Sequence, residues 1–216
     1  MNEALVSQVL AMPDAYLMLE KIKAALEDEK IRRLKFYTDF DDHDKIEFIN
    51  GEVIIQSHVD FQTIRASGRL LTLLGIATMK HMSKTFVGFR RTMVALTRND
   101  YEPDICFFGE EKSRDFTDDQ TLFPAPDLAI EVISDATEHR DRGIKFQDYQ
   151  AHRVEEYWIV DPQKQTLEQY HLVSSKYELI LKAQTGDVKS FVIEGFQIPI
   201  RAIFDDAENL KAIQNL

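Results

Sequence analysis

The sequence predicts an α+β fold, close to α/β in character, in which helices flank a mixed central β-sheet. Segments with helical spacing alternate with short apolar runs, and antiparallel hairpin patterns occur towards both ends. Mixed strands and helices with hairpins are typical of this fold class. The 216 residues are sufficient for one domain with a sizeable core.

The elements follow in order along the chain. Residues 14 to 34 and 61 to 80 have apolar side chains at helical spacing. Between them, IEFINGEVIIQ alternates around Asn50 and Gly51, the strongest short signal for a hairpin turn. Further strands are predicted near 85–88, 91–96, 104–108 and 127–133, a helix over 138–151, and strands over EEYWIVD, TLEQYHLV and KYELILKA. We place domain boundaries at 1–44 (a helical extension), 45–206 (the main domain) and 207–216 (a tail).

Composition limits the function classes. The chain has 26 Lys and Arg against 37 Asp and Glu, a net charge of −11, which is a poor match to a general nucleic-acid binder unless basic residues or metal ions act locally. No apolar run is long enough to cross a membrane, and the first residues lack the basic region of a signal peptide. The lone Cys106 excludes an internal disulfide, so we expect a cytoplasmic protein without membrane association.

One carboxylate stands inside an apolar run. Glu131 lies in PDLAIEVIS, and burying an unpaired charge costs several kcal/mol, so a partner is expected. Strand alternation places Asp127 and Glu131 on the same face. Asp104, in the similar run EPDICFF, would lie near Glu131 if the two strands are neighbours. Two such carboxylates suit Mg²⁺, and Lys145 on the next helix could stand beside the metal.

Structural explanations are equally open at this point. Glu131 could pair with a buried basic residue, as carboxylates in ion-pair networks do. Asp104 could cap a turn after Pro103. Lys145 could form an ordinary helix-surface ion pair with Asp141, four residues earlier.

A family resemblance adds to these residues. The ordered set PDICFF, PDLAIEVIS, DRGIKFQDYQ, EEYWIVDP and VIEGFQIPIRAIFD, with the hairpin IEFINGEVIIQS, resembles the Uma2 family of restriction-endonuclease-like proteins, also called domain of unknown function 820. The resemblance covers roughly residues 45 to 206. It implies a restriction-endonuclease-like, PD-(D/E)XK nuclease fold with a mixed sheet flanked by helices.

The resemblance also implies a site. Asp104 and Glu131 would be the metal ligands for Mg²⁺ or Mn²⁺, Lys145 the catalytic lysine, and Glu52 the early acidic residue, with Glu47 as the less favoured substitute. Two departures stand out. Ile133 occupies the usual lysine position, so the lysine must come from the helix. His58 follows Ser57 directly, whereas family members have the histidine several residues later.

The leading hypothesis is therefore a metal-dependent DNA endonuclease, expected to be a homodimer if it cuts both strands. Basic side chains that could line a phosphate path are Arg65, Arg69, Arg90, Arg91, Arg140 and Arg142. The alternative is a catalytically inactive member used as an interaction or regulatory module. A nuclease for RNA or branched DNA ranks last, because no aromatic-rich basic strand is present.

Overall fold

Three β-sheets and seven α-helices make up the part of the chain that the computed structural model describes, residues 3–39, 45–56, 60–81 and 84–216. The helices are α1 (Glu3–Leu10), α2 (Ala15–Asp39), α3 (Phe61–His81), α4 (Glu110–Ser113), α5 (Glu138–Arg140), α6 (Phe146–Ala151) and α7 (Asp206–Asn215). A π-helical turn (Asp141–Lys145) joins α5 to α6, and a 3-10 turn (Ile200–Ile203) precedes α7.

The largest sheet has six strands in the order β11-β10-β9-β8-β6-β3. Its strands are β3 (Phe86–Phe89), β6 (Ile105–Phe108), β8 (Leu128–Val132), β9 (Glu156–Asp161), β10 (Thr166–Val173) and β11 (Lys176–Ala183). Only the β8 and β9 pair is parallel, so the predicted mixed central sheet is confirmed. The predicted helix over 138–151 is also present, but it contains the π turn.

A second, five-stranded sheet was not predicted. Its order is β2-β1-β5-β4-β7, with β1 (Ile46–Ile49), β2 (Glu52–Ile55), β4 (Met93–Ala95), β5 (Asp100–Tyr101) and β7 (Leu122–Phe123). The predicted hairpin forms β1 and β2, and Asn50 and Gly51 both adopt positive φ. Strands as short as β5 and β7 carry too few residues for an alternation pattern. A small hairpin of β12 (Asp187–Lys189) and β13 (Gln197–Pro199) completes the sheets.

The six-stranded sheet has a separate core on each face. Leu128, Ile130 and Val132 of β8 pack with α3, α7 and the C-terminal segment. Ala129, on the opposite face, packs with Tyr149 and with residues of the five-stranded sheet. Glu131 belongs to this second face, between the two large sheets, as strand alternation predicts.

The two ends of the chain pack differently. The C-terminal half of α2 contacts the five-stranded sheet through Phe36, whose ring lies 5.6 Å from that of Phe48. None of the residues of α1 is buried. The segment 207–216 forms α7 except for its last residue, and in it Ala212 is buried and Asn209 donates a hydrogen bond to the carbonyl of Ala202. None of the described helices is long and apolar enough to cross a bilayer.

Candidate active site

A buried lysine stands at the centre of a carboxylate cluster. Lys145 Nζ lies 2.8 Å from Glu47 Oε1, 3.1 Å from Glu131 Oε1 and 3.1 Å from Asp141 Oδ1. All four side chains are at most 2% exposed. Charges at this depth are tolerated only when they are paired and hydrogen-bonded, so the cluster depends on Lys145.

Three separate elements deliver these side chains. Glu47 comes from β1 of the five-stranded sheet, and Glu131 from β8 of the six-stranded sheet. Asp141 and Lys145 are the first and last residues of the π turn. π turns are rare and occur frequently at functional sites, and this one buries both its first residue, Asp141, and its last residue, Lys145. The cluster therefore joins both large sheets to the helix.

Aromatic side chains enclose the ammonium group and Glu131. The Tyr149 hydroxyl donates a hydrogen bond of 3.1 Å to Glu131 Oε1, and Lys145 Nζ lies 5.8 Å from the centroid of the Tyr101 ring. Burial raises the pKa of Tyr149 well above its usual value, so the phenol keeps its proton and acts as a donor. Burial alone would lower the pKa of Lys145, but the neighbouring carboxylates outweigh burial and keep the lysine charged.

Asp104 lies at the more open edge of the cluster. Ile105 of β6 pairs with Ile130 of β8, so Asp104, one residue earlier, comes opposite Glu131. Asp104 Oδ2 accepts a hydrogen bond of 2.8 Å from the backbone N–H of Val132, and Oδ1 accepts one of 2.8 Å from Lys45 Nζ. The Asp104 and Lys45 side chains are 21% and 23% exposed, so solvent and ligands can reach this pair.

The cluster holds more acid than base. Five carboxyl groups face two lysines; the carboxyl groups are those of Glu47, Glu102, Asp104, Glu131 and Asp141, and the lysines are Lys45 and Lys145. Burial raises the pKa of Glu102 to about 7 and also raises that of Glu131. Glu47 Oε2 and Glu102 Oε2 are buried without a hydrogen-bond partner. An additional cation would relieve this excess of negative charge.

The donor set fits a hard divalent cation. Carboxylate oxygens are the ligands that Mg²⁺ prefers, and unpartnered oxygens remain in the cluster. The fit requires rearrangement, because Lys45 and Lys145 now contact Asp104 and Glu131. Within the described ranges, no three Asp, Glu, His or Cys side chains stand ready as metal ligands.

The structure brings together Asp104, Glu131 and Lys145, but it does not bring Glu52 to them. Glu52 is exposed beside the hairpin turn, and no ion pair of the described residues includes it. Glu47, the less favoured candidate, occupies the cluster instead. Glu47 lies opposite Ile54 and Glu52 opposite Ile49, so both glutamates share a face, but Glu47 is fully buried and Glu52 is exposed.

The structure also bears on the structural explanations that the sequence leaves open for Lys145 and Glu131. The Lys145 and Asp141 pair exists, but it is buried rather than on the helix surface. The structural explanation for Glu131 requires a buried basic partner, and Lys145 is such a residue. Sequence reasoning missed Lys45, whose only signal is its place directly before the first strand of the hairpin. Ser57 and His58 lie outside the described residues.

Three of the candidate arginines form ion pairs with acids outside the cluster, as seen in the described part of the chain. Arg65 and Arg69 contact Asp206 on α7, and Arg142 forms a two-bond pair with Glu168. Arg90 and Arg91 remain exposed in the turn between β3 and β4, both with positive φ. Arg91 acts electrostatically on Glu102, which places this turn beside the cluster.

Comparison with known proteins identifies the family. The sequence profile of Uma2, described as putative restriction endonuclease, matches residues 28–201, most of the chain. The chain belongs to the Uma2 family. All residues of the cluster fall within the matched range, and the Uma2 match begins inside α2.

A solved structure shows that the fold is shared. The crystal structure of a putative nuclease of the DUF820 group from Anabaena variabilis is similar to this Uma2 chain with a TM-score of 0.67 and 16% sequence identity. The similarity covers 78% of this chain and 94% of that one. At this identity the match shows the fold alone, which is the restriction-endonuclease-like fold that the sequence predicts. No curated protein sequence matches the chain.

Proposed function

We propose that this Uma2 protein is a metal-dependent endonuclease that hydrolyses phosphodiester bonds in DNA. The observation that carries the proposal is the placement of Asp104 opposite Glu131, beside a charged lysine, at the accessible edge of an acid-rich cluster. The family and the shared fold support a nuclease-like function. Mg²⁺ or Mn²⁺ held by Asp104 and Glu131 would activate water and neutralise charge on the phosphodiester.

The residues of the chain have separable tasks in this proposal. Asp104 and Glu131 supply carboxylate oxygens, and the Val132 N–H fixes the orientation of the Asp104 carboxylate. Lys145 keeps Glu131 and Glu47 in place while holding a positive charge beneath the site. Tyr149 fixes the same oxygen of Glu131 by donating a hydrogen bond from its hydroxyl group. Such ordering of ligands by neighbouring groups is essential at metal sites.

DNA is the proposed substrate despite the net charge of −11. The exposed Arg90 and Arg91 project a local basic turn beside Glu102, where phosphates of a bound duplex would pass. Such contacts are sequence-independent and screened by salt. We also propose a homodimer, because cleavage of both strands requires two sites.

Plasmid cleavage tests the proposal. Supercoiled DNA is incubated in Mg²⁺ and in Mn²⁺ with wild type, Asp104→Asn and Glu131→Gln, and we expect nicking or linearisation by wild type alone. Asp127→Asn is the matched control, because Asp127 also follows a proline and accepts a hydrogen bond from the Gly109 N–H, but takes no part in the cluster. Equal cleavage by wild type and Glu131→Gln would contradict the proposal.

An interaction or regulatory module is the second candidate. The observation in its favour is that Lys45 and Lys145 already neutralise part of the carboxylate charge and that no ready ligand group exists in the described part of the chain. A Mn²⁺ titration separates the two functions. Binding that is lost in Glu131→Gln supports the nuclease, and no binding by the wild type supports the module.

A further inference from the structure

Lys145 is too enclosed to contact a substrate. Its side chain is 1% exposed, and carboxylates from three different elements surround its ammonium group. Withdrawing it towards solvent would leave Glu47, Glu131 and Asp141 buried together without their cation, at a cost of several kcal/mol. The lysine at this position therefore acts as a positioning residue, and the site still needs a basic group that reaches the phosphate.

Lys45 meets that need. It directly precedes β1, and its ammonium group lies 2.8 Å from Asp104 Oδ1 at the accessible edge of the site. Asp104, Glu131 and Glu47 all act electrostatically on it and keep its pKa raised despite burial, which alone would lower the pKa. A lysine carries its charge on a flexible four-carbon stem, so Nζ can change partners without movement of the strand.

The ammonium group of Lys45 occupies the place of a cation. It contacts the oxygen of Asp104 that the Val132 N–H leaves free, on the side where Glu131 also acts on Lys45. A metal ion ligated by Asp104 and Glu131 would need the same oxygen, Asp104 Oδ1. Lys45 and the metal would therefore compete for one carboxylate.

A second lysine and aspartate pair provides an internal comparison. Asp127 follows Pro126 as Asp104 follows Pro103, and its Oδ2 accepts the Gly109 N–H at 2.7 Å. Its Oδ1 lies 2.7 Å from Lys112 Nζ, and the two side chains are 23% and 32% exposed. The pairs match in chemistry and exposure, but only the Lys45 pair lies beside a second buried carboxylate.

We propose that Lys45 is the lysine that contacts the substrate, leaving Asp104 when a divalent cation binds there and turning to the scissile phosphate. This inference rests on the proposed nuclease function. Lys45 then has two opposite effects, because it weakens metal binding as a competitor and accelerates cleavage as a phosphate contact. A purely structural ion pair would not produce this combination.

The experiment compares Lys45→Met, Lys45→Arg and the control Lys112→Met with the wild-type chain. Mn²⁺ binding is measured by calorimetry without DNA, and plasmid cleavage is measured at saturating Mn²⁺. We expect Lys45→Met to bind Mn²⁺ about three- to tenfold more tightly, since a partly exposed pair is of modest strength. We expect its cleavage rate to fall about 100-fold, the effect of losing one charged donor. Lys45→Arg keeps the competing charge and should retain near wild-type affinity.

The outcomes separate the inference from the proposed function. If Lys45→Met binds Mn²⁺ no more tightly than wild type, or if Lys112→Met tightens binding equally, Lys45 does not compete with the metal for Asp104. Tighter binding with undiminished cleavage overturns the contact with phosphate. If wild type binds Mn²⁺ but cuts no DNA, the proposed function fails, and the calorimetry still decides the exchange. Thermal melting of each variant shows that a changed affinity does not result from unfolding.

Discussion

Two buried glutamates of the six-stranded sheet, Glu131 and Glu156, have contrasting surroundings. Glu156 on β9 accepts hydrogen bonds from Trp158 Nε1, Gln169 Nε2, the Ser190 hydroxyl and the N–H of Phe191, all at 2.6–2.9 Å. Neutral donors satisfy both of its oxygens, as is usual for buried polar groups. Glu131 instead shares Lys145 with other acids, and oxygens of Glu47 and Glu102 remain unpartnered. This surplus of acid supports the proposed metal site.

Opposite stability effects are expected for the two members of the central ion pair. Glu131→Gln removes one of several crowded carboxylates, while Lys145 retains Glu47 and Asp141, so the melting temperature should stay unchanged or rise. Lys145→Met leaves three buried acids without their cation and should lower the free energy of unfolding by about 3–5 kcal/mol. Thermal melting and denaturant unfolding at pH 7 measure the two effects. A large loss of stability in Glu131→Gln would mean that Glu131 is purely structural.

Acid sensitivity is expected at Glu168, away from the site. This glutamate is 3% exposed and contacts Arg142, Tyr170 and Lys182, and these hydrogen bonds overcome burial and lower its pKa from 4.5 to about 2. A depressed folded-state pKa stabilises the fold above the unfolded pKa, and this contribution disappears as pH falls from about 5 to about 2. Glu168→Gln should flatten the stability curve over that range. An unchanged acid limb in urea unfolding would contradict the assignment.

At the scale of elements, the sequence predicts regular pieces better than their associations. The alternation in β8 correctly places Glu131 on the face opposite Ile130, and the Asn50 and Gly51 turn correctly defines the first hairpin. Alternation also suggests that Glu47 faces solvent, because its neighbours in β1 are apolar. It is instead fully buried, since β1 is covered on both faces. Helix α2 covers one face through Phe36, and the π turn covers the other through Lys145. The local sequence predicts helices in both segments but not where those helices pack.

Polar contacts hold helix α2 against strand β5. Arg33 forms two hydrogen bonds with the fully buried Asp100 of β5, and Tyr37 donates a third at 2.8 Å. Arg33→Met should lower the free energy of unfolding by about 3 kcal/mol, because it leaves a buried carboxylate with the tyrosine alone. Lys30→Met is the control, since Lys30 forms only an exposed pair with Glu27 and should change stability by less than about 1 kcal/mol. Equal effects in a denaturant titration would show that α2 does not depend on Asp100.

For the molecule as a whole, the candidate site is a junction rather than a pocket in one sheet. Glu47 belongs to the five-stranded sheet, Glu131 to the six-stranded sheet, and Lys145 to the helix between them. From the sequence, Asp104 is expected near Glu131 only if their two segments are neighbours in the sheet, and the structure pairs β6 with β8 directly after Asp104. The sequence does not predict that Glu47 contacts Lys145 or that Lys45 contacts Asp104, because these contacts depend on how the second sheet closes over the first.

Helix α2 carries exposed apolar residues that could form a dimer interface. On α2, Leu19, Ile22 and Leu26 follow one another at helical spacing and are 44–50% exposed, so they form an apolar stripe on the helix surface. A nuclease that cuts both strands needs two sites, and a symmetric dimer can bury the same patch on both subunits. We therefore expect light scattering to give twice the 25.1 kDa chain mass. Ile22→Glu with Leu26→Glu should yield monomers, whereas Leu210→Glu, at an exposed leucine of α7, should remain dimeric. A wild-type chain that is monomeric at micromolar concentration would exclude this dimer, and cleavage would then be restricted to nicking.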